Sequence, residues 1–229
     1  ESGKILRISE VFNFKVVDYD EKSQKVTRGR SLADHLSIEN TRRYILDLAE
    51  ASIEKFLSGF NSNQYVDGFL RGSKYTRKDV FRVLKWDKLP LAQNVGGYMI
   101  SPDKTNCPIF LTYHKQDNIS ETTKYEDQFL NPKHLVYMSK SRRTLSSPDV
   151  ISMQNHRNLN MRLPLFIKKS DDEGLDFYYI GDLQAITEKF NETNMESEDN
   201  SKVSVVKMEF MLDQPVDYRL YKYLTETLN

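Results

Sequence analysis

Residues 206–212 alternate. Val206, Met208, Phe210 and Leu212 are separated by Lys207, Glu209 and Met211. A period of two belongs to a strand with one face on a core. The same texture recurs wherever one looks after residue 90, in "GGYMIS", "CPIFLTYHK", "LPLFIKK" and "DFYYIGDL". Each segment is short and rich in β-branched and aromatic residues, and "DDEG" and "SPD" read as turns. Strands at this spacing suggest a sheet that curls toward closure. The 13 Tyr and 12 Phe fit such a β-rich core, or a stacking surface.

The first part of the chain has a different period. In "NTRRYILDLAEASIEKFLSGF", Ile45, Leu48, Ala49, Ser52, Phe56, Leu57 and Phe60 recur at helical spacing. Asn40 or Thr41 caps its start and Gly59 ends it. A shorter helix follows in "YTRKDVFRVLKW", with Thr76 as cap and Asp79 near its positive end. "FNFKVVDYD" reads as a strand or two, "DYRLYKYLTETL" as a short helix, and the acidic "NETNMESEDNSK" as a loop. The fold class is therefore α+β. A mostly helical segment at 1–74 precedes a strongly curved sheet or barrel at 75–229.

Several function classes lack their residues. There is no GxxxxGK[ST] phosphate loop, and the four His and one Cys form no zinc pattern. His114 reads better as a polar residue at a strand end than as a catalytic base, since no spacing links it to a nucleophile motif. No apolar run is long enough to span a bilayer. The lone Cys107 excludes an internal disulfide and fits a cytoplasmic setting. The opening "ESGKIL", without Met, reads as a fragment of a larger protein.

Charge is the informative quantity. The total is zero, yet it is unevenly spread. Basic tracts run over 71–88 and 133–169, whereas 170–200 carries ten acids against Lys189. "YMSKSRRTL" interleaves Lys140, Arg142 and Arg143 with the hydroxyls of Ser139, Ser141 and Thr144. Arginine pairs with phosphate oxygens in bidentate fashion, and adjacent hydroxyls donate to the same oxygens. Arg77, Lys78, Arg82 and Lys85 near the second helix, Lys115 after a strand, and Lys168 and Lys169 at another strand end complete the backbone-contact candidates. Such cations beside aromatics fit a module that holds a nucleic-acid backbone and stacks a base, although at least half of the aromatics should be core.

The segments "YTRKDVFRVLKWD", "GGYMI", "CPIFLTYHK", "TKYEDQFLNP", "MSKSRRTLSS" and "PLFIKKSDDEGLDFYYIGD" occur in order. Together they resemble the C-terminal domain of bacterial fusions between a phospholipase-D-type nuclease and a superfamily-two helicase. The resemblance covers roughly residues 70–225. Within that group the chain is similar to the target-recognition domain of SauUSI-like modification-dependent (type IV) restriction enzymes, which cleave DNA containing methylated cytosine. The chain itself has neither the nuclease HKD motif nor helicase motifs. The resemblance thus implies recognition of double-stranded DNA with modified cytosine, not cleavage. It implies helicase and nuclease domains as partners in the same parent chain, no membrane partner, and ATP and Mg as cofactors of the parent only.

Two modes of reading a methyl group are open. One is major-groove contact with the C5-methyl. The other is an SRA-like (PUA-like) barrel that flips the base into a pocket. A pocket needs stacking rings, an acceptor for the N4 amino group and an apolar notch. By residue type and β-segment location the candidates are Tyr98, Tyr113, Tyr179 and Trp86, with Asp127 or Asp176 as acceptor. Ile109, Leu111 or Gly97 would shape the notch. No catalytic or metal-ligating residue is expected. Two other readings stand beside this one: a module coupling a helicase to its nuclease, and an autonomous hydrolase.

Overall fold

The structure, a computed structural model, describes residues 17–20, 22–23, 25–59, 62–91, 95–114, 127–196 and 202–226. It forms two compact units, Glu1–Gln64 and Tyr65–Asn229. Residues 65–74, which the sequence assigned to the helical part, lie in the second unit.

In the first unit, β1 (Val17–Asp20) and β2 (Lys25–Arg28) pair as an antiparallel hairpin. Helices α1 (Arg30–Ser37) and α2 (Glu39–Gly59) follow. The expected long helix is therefore present, and α1 is an addition. On α2, Leu46, Ile53 and Leu57 share one side and are 53%, 59% and 66% exposed.

The second unit is an α+β fold around a nearly closed, barrel-like sheet. Two small strands, β3 (Tyr65–Val66) and β4 (Phe69–Leu70), make a hairpin. Then come β5 (Lys74–Thr76), helix α3 (Arg77–Val83) and β6 (Ile109–His114). β7 (Gln128–Asn131) and β8 (His134–Met138) form a hairpin, and α4 (Pro148–Gln154) follows. The remainder is β9 (Pro164–Ser170), β10 (Asp176–Ala185), β11 (Asn191–Glu196), β12 (Lys202–Leu212) and α5 (Tyr218–Thr225). The sheet runs β6-β9-β10-β12-β8-β7, with β11 added to β12 and β5 to β10. Among the described strands only β6 and β9 pair in parallel. The two ends of this path are drawn together by Tyr113 of β6. Its ring stacks on Phe129 of β7, and its hydroxyl accepts the Phe129 N–H at 3.3 Å.

Alternation in the strands divides two cores. Leu165, Ile167, Ile180, Val206, Met208, Phe210 and Leu212 face the barrel interior. Phe110, Phe166, Phe177 and Tyr179 point to the other face, where Val80 and Phe81 of α3, Phe69 and Trp86 cover them. Each such ring contributes roughly 1.5–3 kcal/mol by leaving water. Helix α3 starts as expected: Thr76 and Asp79 form a reciprocal capping box. The β9–β10 ladder shifts register at Gly181, whose φ of 148° and close approach by the Arg71 guanidinium leave no room for a side chain.

Two expectations are corrected. Residues 191–196 of the acidic tract form β11, paired antiparallel with β12, because the ladder satisfies their backbone whatever their charge. "GGYMIS" contributes only an isolated bridge, Tyr98 to Ile109. The alternating segment 206–212 behaves as its pattern requires, with even positions buried and odd ones half-buried.

Candidate nucleic-acid interface

The basic block 139–145 is a pinned loop, not a solvated one. Ser139 is fully buried; its N–H donates to the Val206 carbonyl, and its hydroxyl accepts the Val206 N–H at 2.8 Å. The Arg143 N–H donates to Ser204 O, and the Leu145 N–H donates to Glu192 Oε1 at 2.7 Å. The chain thus lies along the β11–β12 hairpin. Arg142 takes a left-handed φ of 60° at the turn, which throws its side chain into solvent. The loop then enters α4 through Ser147 as N-cap and Pro148 in the first turn.

Between this loop and residues 98–100 lies an open cleft of about 470 Å³. Tyr98, Met99, Ile100, Lys140, Arg143, Ser147, Pro148 and Asp149 line it. Asp149 organises its floor. Arg143 Nε and the Tyr98 hydroxyl donate to the same Oδ2 at 2.7 and 2.8 Å. Burial pulls the Asp149 carboxyl upward, but those two hydrogen bonds outweigh it and hold the pKa below the ordinary value. Arg143 is raised, chiefly by its bond to Asp149. Lys140 sits with Nζ 4.7 Å from the Tyr98 ring centroid, and burial lowers its pKa. The cleft therefore presents an ammonium and a guanidinium around a carboxylate, with Met99 and Ile100 as an apolar wall. Such a surface can bind a phosphodiester through Lys140 and Arg143 and can accept an amino group at Asp149.

The sequence candidates scatter around this cleft. Lys140, Arg143 and Tyr98 line it, and Arg142 and Ser141 are exposed on the same loop. Tyr98 is only 1% exposed and its face carries Lys140, so it is a wall rather than a free stacking platform. Tyr179 and Trp86 are core residues: the Tyr179 hydroxyl donates to Asp182, and Trp86 Nε1 donates to Asn106. Tyr113 bridges β6 to β7. Asp127 accepts the Met138 N–H at 2.8 Å, and Asp176 lies in the β5–β10 ladder. Ile109 and Leu111 are inside the barrel. Gly97 abuts the Tyr137 hydroxyl, which any side chain at 97 would overlap.

The other cations are mostly engaged. The Arg77 guanidinium lies over Phe110 and Phe177, and burial lowers its pKa. Arg82 turns toward Asp79 at 3.7 Å. Lys85 lies beyond the end of α3 at a φ of 59°, so it does not continue the row of Lys78 and Arg82, although Lys78 and Lys85 are both exposed. Lys168 is buried, holding Asp171 and the Gly174 carbonyl. Lys169 packs over Tyr223. Ser139 is closed by its backbone contacts. Lys115 lies outside the described residues. His114 donates from Nε2–H to the Leu224 carbonyl at 3.0 Å, a strand-end role.

The residue missed from sequence is Asp149. "SPD" reads as a turn, yet Ser-Pro-acid is also the signature of a helix start, and that is its role here. Among the described residues no group of His, Cys, Asp and Glu could hold a metal ion. Among them, too, no helix is long and apolar enough to cross a membrane.

A barrel-like α+β unit with a cationic cleft on one loop is the class this chain defines. Residues 69–224 match the family described as a domain of unknown function, DUF3427, and the chain belongs to that family. No curated protein matches it. Among solved structures it is similar to a complex of the sulfur-binding and SRA domains of ScoMcrA with phosphorothioated DNA. The identity is 10% and the TM-score 0.41, over 68% of this chain and 45% of that one. The chain thus spans less than half of that structure's length.

Proposed function

We propose that this chain is a DNA-recognition module that binds double-stranded DNA carrying modified cytosine. In this reading it is the target-recognition part of a SauUSI-like, ATP-dependent type IV restriction enzyme, and does not itself cleave. The observation that carries it is the cleft, where a pinned loop brings Lys140 and Arg143 to a carboxylate and an apolar wall. Lys140, Arg142 and Arg143 hold the backbone. Asp149, rather than Asp127 or Asp176, accepts from the cytosine amino group, and Met99 and Ile100 face the C5 substituent, with the base flipped out of the duplex. Helicase and nuclease domains of the parent chain supply the chemistry.

The backbone role is tested with Lys140→Ala and Arg142→Ala. Each should weaken methylated and unmethylated duplex alike, and each should lower the slope of log affinity against log salt by about 1. A variant that altered only the preference for methylated DNA would contradict the role given to it.

A second reading, a module coupling a helicase to its nuclease, is favoured by one observation. The exposed row Leu46, Ile53 and Leu57 on α2 is edged by Glu50 and Glu54, which suits a basic, apolar surface on the helicase domain. Binding of that domain that survives Leu46→Ser with Ile53→Ser would remove this reading.

A further inference from the structure

A second concave site lies at the far end of α4. It has a volume of about 300 Å³ and is lined by His156, Arg157, Asn160, Arg162, Asp182 and Gln184, among others. The cleft described above does not use it.

Most of its charge is consumed internally. Arg162 donates from Nε and Nη2 to the two oxygens of Asp182 at 2.8 and 3.1 Å. The Tyr179 hydroxyl donates to the same carboxylate. His156 is closed by Met161 O and the Ala185 N–H. Arg157 differs. It is exposed, its Nε donates to the neutral Gln184 Oε1 at 2.9 Å, and no carboxylate pairs with it among the described residues. Asn160, exposed at a left-handed φ of 51°, closes the turn by donating its N–H to Arg157 O at 3.1 Å. Using Gln184 Oε1 as an acceptor leaves its amide N–H₂ to donate. Arg157, Asn160 and Gln184 thus offer donors around one uncompensated positive charge, which suits an anion with several acceptor oxygens.

Geometry selects the kind of anion. The first cleft includes Pro148 and Asp149, at the start of α4, and Arg157 follows shortly after its last residue, Gln154. A helix rises about 1.5 Å per residue, so the two sites are separated by roughly 10 Å or more. A single small anion cannot reach both. A nucleic-acid strand, with a charge for about every 3.4 Å of helix axis, can.

We infer that Arg157, Asn160 and Gln184 form a second phosphodiester subsite, so that nucleic acid lies along α4 and is held at both of its ends. This rests on the DNA-binding reading above. The test uses the 229-residue chain and duplex DNA over a range of salt, with Arg157→Ala and Arg157→Lys. Arg157→Ala should weaken binding regardless of methylation and lower the salt slope by about 1, and Arg157→Lys should restore the slope. If the unaltered chain binds no duplex, the functional reading falls and the subsite with it. If it binds and Arg157→Ala leaves affinity and slope unchanged, the subsite alone falls. Inorganic phosphate or a mononucleotide that protects the unaltered chain against thermal unfolding, with the protection lost in Arg157→Ala, would overturn the polymeric ligand in favour of a small one.

Discussion

At the scale of single residues, the molecule separates charges that work outward from charges that hold it together. Arg143 and Asp149 do both, whereas Arg142 and Arg157 face solvent. His156 shows the inward case. Its Nδ1–H donates to Met161 O at 3.1 Å and its Nε2 accepts the Ala185 N–H at 3.2 Å, which requires the neutral ring. Burial holds its pKa below the ordinary 6.5. The unfolded chain therefore binds this proton at higher pH than the folded chain does. The stabilisation is full above 6.5 and is lost as pH falls from there toward the folded value. Urea unfolding at about pH 7.5 and about pH 5.5 should show lower stability at the acid end. His156→Gln should reduce that difference, and an unchanged difference would refute the assignment. From sequence alone His156 carried no signal, because its two partners lie in separate elements, the turn after α4 and strand β10.

At the scale of elements, period and capping were legible and turn geometry was not. The alternation at 206–212, the helix over 39–59 and the Thr76–Asp79 cap all follow from local sequence. Thr76→Ala removes the side-chain half of a capping box that starts α3 over the second core. It should cost about 1 kcal/mol in chemical denaturation. No loss of stability would mean that the box contributes nothing beyond packing. Lys78, Arg82 and Lys85 do not share one helix face for a local reason: the helix ends at Val83, and Lys85 turns into a left-handed conformation. The acidic tract reads as a loop by composition but is a strand over 191–196, because the composition of an edge strand says little when the pairing partner supplies the order. Here β12 is that partner, and eleven residues long.

At the scale of the whole second unit, the sheet sets what the basic block can do. β12 pairs with β8, β10 and β11 along its length, and the loop 139–145 is laid against it by Ser139 and Arg143 and against β11 by Leu145. A pinned loop presents cations without first losing the freedom of a mobile one, so less binding energy is spent on ordering. The sequence singles out this loop as a phosphate clamp, and the structure sets it on the rim of the cleft, whereas Asp127, Asp176, Tyr113, Tyr179 and Trp86 lie elsewhere in the fold. Tyr179 and Trp86 were chosen by type, and type does not distinguish a core ring from a pocket ring. Asp149 could be found only once Tyr98 and Arg143, distant from each other in sequence, were brought onto one oxygen. The claim that joins these scales is that the cleft reads modified cytosine in duplex DNA. The most direct measurement is competition between two duplexes of identical sequence, one methylated at cytosine and one not, for the 229-residue chain at moderate salt. Preferential retention of the methylated duplex, abolished when Asp149 and Ile100 are replaced while salt-dependent binding persists, is the predicted result. Equal affinity for both duplexes would contradict the account.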